Sequence, residues 1–435
     1  MDPLLLGAIV AIATIVVLFS GVSVALGLLI VSAGFLIIFD GMRSLELMPE
    51  ILFGKLDNFA LLSIPMFIIM GASIASTRAG ADLYEALERW LTRVPGGLVV
   101  SNLGACALFA AMSGSSPATC AAIGKMGIPE MRKRGYPDGV AAGSIAAGGT
   151  LGILIPPSIT MIVYGIATET SIGRLFLAGV FPGILLVGLF MAWSLYSTWR
   201  SGNAEVLSSG SYTWAQKIEI LPRVLPFIGI IIGVLYAMYG GVATPSETAA
   251  VGALLCLLIA MVIYKLWNPA DLWVVLRDST KESVMILFII AAAGVFSYML
   301  SSLFITQSIA AWIGELDVNR WVLMGAVNVF LIIAGFFLPP VAVILMAAPI
   351  LLPIITSAGF DPIWFAVVLT INMEIGLISP PVGLNLYVIN GIAPDISLKT
   401  ILQGSLPFVA CMIVAIILLC IFPGIATWLP NAVMG

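Results

Sequence analysis

The chain has 435 residues, of which 61% are hydrophobic and only 9% charged, and its mean hydropathy is +1.15. Soluble domains carry about 25% charged residues, so composition excludes a water-soluble fold and predicts an all-α polytopic protein of the lipid bilayer. The formal charge of −4 says little about partners, no nucleic-acid partner is expected, and five scattered cysteines without any histidine argue against a zinc site. At about 20 residues per span there is room for ten to fourteen spanning or re-entrant segments, read as one membrane domain over 1–435.

Residues Leu4–Phe39 are apolar throughout, too long for one span, with Ser20-Gly21-Val22 as a turn between two short ones. The N-terminus has no basic region and is read as a retained first helix. Asp40–Asn58 reads as a mixed loop and Phe59–Thr77 as a span kinked at Pro65. Ala81–Val94 reads as an amphipathic interfacial helix, with Asp82, Glu85, Glu88 and Arg89 opposite Leu83, Leu87, Trp90 and Leu91. Leu98–Gly124 has a Ser113–Pro117 centre rich in Gly, Ser and Pro between two short apolar arms, the pattern of a re-entrant hairpin. Asp138–Ala167 contains LGILIPPS (Leu151–Ser158), where Pro156 and Pro157 must break the helix.

Spans are predicted at Ile172–Trp199, Leu221–Tyr239 and Ala243–Trp267, the last capped by Thr244 or Ser246 with Pro245 in its first turn. Arg200–Glu219 should surface. Asn268–Glu282 reads as a second interfacial helix, Ser283–Phe304 as a span and Ile309–Leu316 as a short amphipathic helix. Trp321–Ile355 is the second hairpin, turning at Gly335 and Leu338-Pro339-Pro340. Trp364–Ile392 is the second broken helix, and Leu406–Leu429 the last span.

The two broken helices are related. Pro129 and Pro353, Gly135 and Gly359, Tyr136 and Phe360, Ala142 and Ala366, Gly152 and Gly376, Pro156 and Pro380, and Pro157 and Pro381 all fall in one ungapped register. Paired interrupted segments of this kind point to a transport site near the bilayer midplane. The transport core is therefore placed in 98–167 and 321–392, with the remaining helices mainly scaffold and interfacial arms. Arg132-Lys133-Arg134 has the uncharged counterpart Thr356-Ser357-Ala358. By the positive-inside rule the first loop is cytoplasmic, and equivalent loops on opposite faces make the repeats inverted.

Small hydroxyls and freed carbonyls make an oxygen-rich site without formal charge, which suits an alkali cation. Ser113, Ser115 and Ser116 with Gly152–Ser158 form one such constellation; Gly335 with Gly376, Ser379 and Val382 forms the other. Asn385 serves either the same cavity or helix packing. Glu247 is expected to complement a helix dipole, whereas Glu374, one turn before the second break, is open to gating, proton binding or ion pairing.

These motifs resemble the large membrane subunit of tripartite ATP-independent periplasmic (TRAP) transporters over nearly the whole chain. The resemblance rests on SGSSPAT at Ser113–Thr119, GY at Gly135-Tyr136, and LGILIPPSITMIVYG at Leu151–Gly165. RLFLAGVFPG at Arg174–Gly183, GGVATPSETAAVGA at Gly240–Ala253 and EIGLISPPVGLNLYV at Glu374–Val388 follow in the family's order. It implies an elevator-type secondary importer of small organic anions (carboxylates) in a bacterial or archaeal inner membrane, driven by Na+. A periplasmic substrate-binding protein would deliver the substrate, and a small four-helix membrane subunit would brace the large one. The resemblance implies one sodium site at Ser113, Ser116, Gly152, Ile155 and Ser158. It implies a second at Gly335, Gly376, Ser379 and Val382. Ser115, Ser158 and Asn385 are candidates for substrate contact. Family members often carry an aspartate after FL at the second hairpin tip, where this chain has Pro339, so the acid-sugar substrate is not carried over.

The alternative is a stand-alone sodium- or proton-coupled carboxylate carrier of a related elevator fold. An intramembrane enzyme is disfavoured, since there is no histidine for a Ser-His pair and no HExxH. An ATP-driven pump is disfavoured by the lack of a Walker A loop.

Overall fold

The computed structural model describes residues 2–91, 97–200, 212–315 and 318–434. In the first half, α1 (Pro3–Phe19) and α2 (Val24–Asp40) pack together across a four-residue connection, with Asp2 capping α1 through the Leu4 amide. The expected loop at 40–58 is instead a 3-10 turn, Met42–Leu47, followed by α3 (Met48–Leu56). This segment meets the next, Phe59–Ala75, at a bend of 62°. Pro65 is not the cause. It sits in the first turn of α4 (Ser63–Ala75), where a missing N–H breaks no helical bond.

α5 (Ala79–Leu91) is amphipathic as expected, but its acids turn inward. Asp82 and Glu88 are buried while Trp90 is exposed. Asp82 accepts from the Tyr264 hydroxyl at 2.8 Å and lies 3.6 Å from Arg223, and Glu88 pairs with Arg134. Polar partners on neighbouring helices thus overturn a reading based on helical periodicity alone. The expected end of this helix at Val94 lies outside the described residues.

α6 (Gly97–Ser113) and α7 (Ser116–Lys133) form the first hairpin. α8 (Asp138–Thr150) and α9 (Ile159–Thr168) are the halves of the first broken helix, and α10 (Ile172–Arg200) follows. Most of the expected surface segment 200–219 lies outside the described residues; its last part is the short α11 (Trp214–Glu219). Then come α12 (Leu221–Tyr239) and α13 (Pro245–Val262), the latter opened by a Thr244–Glu247 capping box.

α14 (Pro269–Ser302) is one continuous helix of 34 residues, about 51 Å at 1.5 Å per residue. The division expected at Glu282, where charges crowd the first half, is absent. α15 (Ile305–Glu315) precedes the second hairpin, α16 (Arg320–Phe337) and α17 (Pro340–Ser357), and the second broken helix, α18 (Pro362–Leu377) and α19 (Leu384–Ile392). The predicted final span is two helices, α20 (Leu398–Ile421) and α21 (Gly424–Met434), parted at Phe422-Pro423. Among the described residues seven helices are long and apolar enough to cross a membrane, or eight if the bent pair counts as one.

The repeat extends to helix boundaries. α7 and α17 differ by 224 at both ends (116 and 340, 133 and 357), as do the starts of α8 and α18 (138 and 362) and the ends of α9 and α19 (168 and 392). Packing is reciprocal under this offset. α7 packs on α19 and α17 on α9; α4 packs on α13 and α14 on α2; α5 packs on α12 and α15 on α1. Such mutual exchange is what a pseudo-two-fold axis produces. Together with the charge asymmetry at Arg132–Arg134, it describes two inverted repeats. At their centre every residue of α18 from Ile363 to Leu377 is buried, as is α8 from Ala141 to Thr150. A helix apolar on all sides belongs in the core.

Candidate functional site

At the first hairpin tip α6 ends at Ser113 and Gly114 takes the left-handed region at φ +59, so that α7 can start at Ser116. The Ser113 hydroxyl lies 3.0 Å from that of Thr119, which donates to the Ser115 carbonyl at 2.8 Å. Pro157 has no N–H to offer the Ile153 carbonyl, and the Ser158 hydroxyl donates there instead. The same Ser158 oxygen caps α9 by accepting from the Met161 amide at 3.2 Å. Pro156 likewise leaves the Gly152 carbonyl without its helical donor. Tip and break meet backbone to backbone. A methyl group on Gly152 would lie 2.7 Å from the Ser115 oxygen, and one on Gly114 would lie 2.7 Å from the Pro157 oxygen.

The second tip repeats the plan. A methyl group on Gly376 would overlap the Gly335 carbonyl, and the Val382 amide donates to Phe336 O at 3.3 Å. Ser379 is buried beside Gly376, whose carbonyl accepts from the Ser379 amide at 3.4 Å. Pro156–Pro157 and Pro380–Pro381 are both cis. The structure therefore brings Ser113, Ser116, Gly152 and Ser158 to one tip-and-break junction and Gly335, Gly376, Ser379 and Val382 to the other. Ile155 immediately precedes Pro156, and its side chain lies against Gly183.

Both junctions adjoin a cavity of about 380 Å³ lined from both repeats. Its walls include Gly114–Pro117 and Thr160 from the first repeat and Pro339–Val341, Leu377 and Leu384 from the second. A stripe of α14 with Glu282, Met285, Ile286 and Ile289 and the start of α2 at Ser23, Val24 and Ala25 complete it. Four helices begin at this cavity without a side-chain cap: α2 at Val24, α7 at Ser116, α17 at Pro340 and α19 at Leu384. Their positive ends favour an anionic group.

Of the candidate substrate contacts, Ser115 lines the cavity. Ser158 is engaged in the cap. Asn385 is fully buried, joins Ser116 through both amide atoms at 2.8 and 3.1 Å, and donates to Ala146 O at 3.0 Å. It ties α19 to the first hairpin. Sequence reasoning missed Thr119, although it closes the SGSSPAT motif, and Glu282, hidden by reading Asn268–Glu282 as an interfacial segment. Glu374 is fully buried and neither carboxyl oxygen has a hydrogen-bond partner among the described residues.

Chemically, the junctions offer neutral oxygens. Among the described residues no three His, Cys, Asp or Glu side chains cluster as a metal would require. Carbonyl and hydroxyl donors fit a hard monovalent cation and not a thiophilic one. The basic loop behind the first hairpin is neutralised locally: Arg132 pairs with Asp138 at 2.9 Å and with Asp395 at 2.6 Å. The Arg132 hydrogen bond holds the exposed Asp395 carboxyl below its ordinary value.

Residues 11–425 match the family model described as the tripartite ATP-independent periplasmic transporter DctM component. The chain is 39% identical to the C4-dicarboxylate TRAP transporter large permease protein DctM of Pseudomonas aeruginosa, over 90% of each chain. It is 35% identical to the DctM large permease of Vibrio cholerae, over 95% of each. The fold is similar to the crystal structure of the Alcanivorax borkumensis YdaH transporter, with a TM-score of 0.67 at 18% identity, covering 96% of this chain and 99% of that one. With its apolar helices, paired hairpins and motif order, this chain belongs to the DctM family of TRAP transporter large permeases and is a multi-pass inner-membrane protein.

Proposed function

We propose that the chain is a sodium-coupled secondary importer of small organic carboxylates, which a periplasmic substrate-binding protein delivers and a small four-helix membrane subunit supports. The observation that carries the sodium part is the duplicated junction. At both ends of the pseudo-symmetric core a glycine of the break lies against a carbonyl of the hairpin tip, with a buried serine beside it. Sodium held there joins hairpin to broken helix, so each tip is fixed in place only when its ion is bound. The carboxylate would occupy the adjoining cavity, its charge facing the uncapped starts of α2, α7, α17 and α19. The names of the C4-dicarboxylate relatives support a carboxylate substrate. Inward movement of the two hairpins with their broken helices against α2, α4, α13 and α14 would be the elevator step.

The test is uptake into proteoliposomes holding this chain, its small subunit and its binding protein. Uptake that follows an inward sodium gradient and stops when potassium replaces sodium supports the reading; uptake indifferent to sodium refutes it. One observation favours proton coupling instead: Glu374 is buried with both oxygens unpartnered. Uptake driven by a pH gradient and abolished in Glu374→Gln would establish that alternative.

A further inference from the structure

We propose that Glu282 selects a substrate in which a carboxylate is joined to a positively charged group, such as an ammonium or quaternary ammonium acid, over a dicarboxylate. The inference rests on the reading of the 380 Å³ cavity as the substrate site and narrows its substrate class.

The cavity has one charged lining residue, Glu282, and no arginine or lysine. Glu282 is near the middle of α14, in a stripe with Met285, Ile286 and Ile289 at spacings of three, four and seven, which places all four on one helix face. Ser279 and Ser283 are its helical neighbours, and Lys281 leans toward Asp278 at 3.9 Å. Among the described residues Glu282 has neither an ion pair nor a hydrogen bond, so its charge is not used to hold the fold together. Its side chain is exposed at the cavity wall, free to meet a cationic group held there.

The rest of the lining is apolar or carries partial charge of the opposite sign. The uncapped starts of α2, α7, α17 and α19 present partial positive charge from the two repeats. α14 presents a full negative charge. Met285, Phe288, Ile289 and Leu384 supply apolar surface between and around them. A dicarboxylate would bring its second charge against Glu282 in a site with no cationic side chain to receive it. A carboxylate with an ammonium group satisfies both ends, and the apolar walls suit the alkyl groups of a quaternary nitrogen.

The test measures ligand binding to the purified full chain in sodium chloride with four probes: succinate, 4-aminobutyrate, glycine betaine and carnitine. Wild type is expected to bind at least one ammonium acid ten-fold or more tightly than succinate. Glu282→Gln is expected to weaken that ligand at least ten-fold and to shift the preference toward succinate, while Glu282→Asp keeps the wild-type order. Unchanged melting of Glu282→Gln in sodium alone confirms that the variant is folded; if it is not, the Asp variant carries the comparison through a preference smaller than wild type but of the same sign. Succinate preferred by wild type, or a preference ratio unmoved by Glu282→Gln, overturns the role of Glu282 and leaves the cavity as the substrate site. No binding of any probe by either protein overturns the proposal and the site reading together.

Discussion

The two tip-and-break junctions share a backbone and differ in side chains. At the first, buried hydroxyls bond in three separate groups: Ser113 with Thr119, Ser158 with the backbone of its own break, and Ser116 with Asn385 of the opposite repeat. At the second, Ser379 stands with glycines, prolines and Val382, and Val382 is 43% exposed. Ser158 caps α9, whereas the corresponding end of α19 has Gly383 in the left-handed region and no side-chain cap. The common part is what proline and glycine impose: broken helices, freed carbonyls and room for close approach. At both junctions tip meets break backbone to backbone; the first adds a side-chain tie from Ser116 to Asn385 of the opposite repeat, while the second hairpin bonds to its own broken helix through Asn328 and Asn372 at 2.6 Å.

The largest expected effect would break both sides of this comparison. Gly152→Ala and Gly376→Ala each place a methyl group against a backbone carbonyl that has no rotamer with which to yield. Overpacking of this kind costs about 1–3 kcal/mol or more, and both variants should lose sodium-dependent transport with a lowered melting temperature. Normal transport by either would show that the close approach is not required.

Ser116→Ala should come next and should act on the first junction alone. It leaves Asn385 Oδ1 buried without its donor, a loss of about 1–3 kcal/mol, read by denaturation and by weaker sodium dependence. Asn385→Ala combined with it in a double-mutant cycle should show coupling; simple additivity would mean that the contact between repeats contributes nothing. Ser158→Ala removes the α9 cap, at about 1 kcal/mol. Because the hydroxyl also serves Ile153 O, the loss should exceed that of an ordinary cap, such as Asn319→Ala at the exposed start of α16.

Much of this contrast was legible in the sequence, because it depends on residues with little conformational choice. Pro156-Pro157 and Pro380-Pro381 dictate breaks, Gly114 and the Ser/Pro tip dictate a turn, and an ungapped register of small residues implies a duplicated core. The elements that were misread depend on tertiary partners. Whether Asp82 and Glu88 face water or Tyr264 and Arg134 cannot be decided from periodicity. The charged first half of α14 reads as interfacial until the helix is seen to run unbroken to Ser302, which conceals Glu282 as a cavity residue. No local signal decides whether Asn385 serves packing or substrate, because its partner Ser116 lies 269 residues away.

The smallest expected effect concerns the asymmetry outside the junctions. Arg132 links the end of the first hairpin to Asp395 beyond α19, whereas its counterpart in the second repeat, Thr356, has no charge to offer. The folded Asp395 carboxyl is held below its ordinary value, so its contribution to stability is present above about pH 4, the unfolded aspartate range, and fades as pH falls through the folded value. The difference in melting temperature between wild type and Asp395→Asn should therefore shrink on acidification. A difference that grows as pH falls would contradict the pairing.

The central claim, that each repeat holds one sodium ion at its tip-and-break junction, is tested most directly by thermal unfolding of the purified chain in sodium chloride and potassium chloride at equal ionic strength. Specific binding stabilises by mass action, about 2.7 kcal/mol at a hundred times the dissociation constant. The account predicts a saturable shift with sodium only, reduced in Ser116→Ala, reduced in Ser379→Ala and absent when both are combined. Equal shifts in the two salts, or a sodium shift untouched by the double variant, would contradict it.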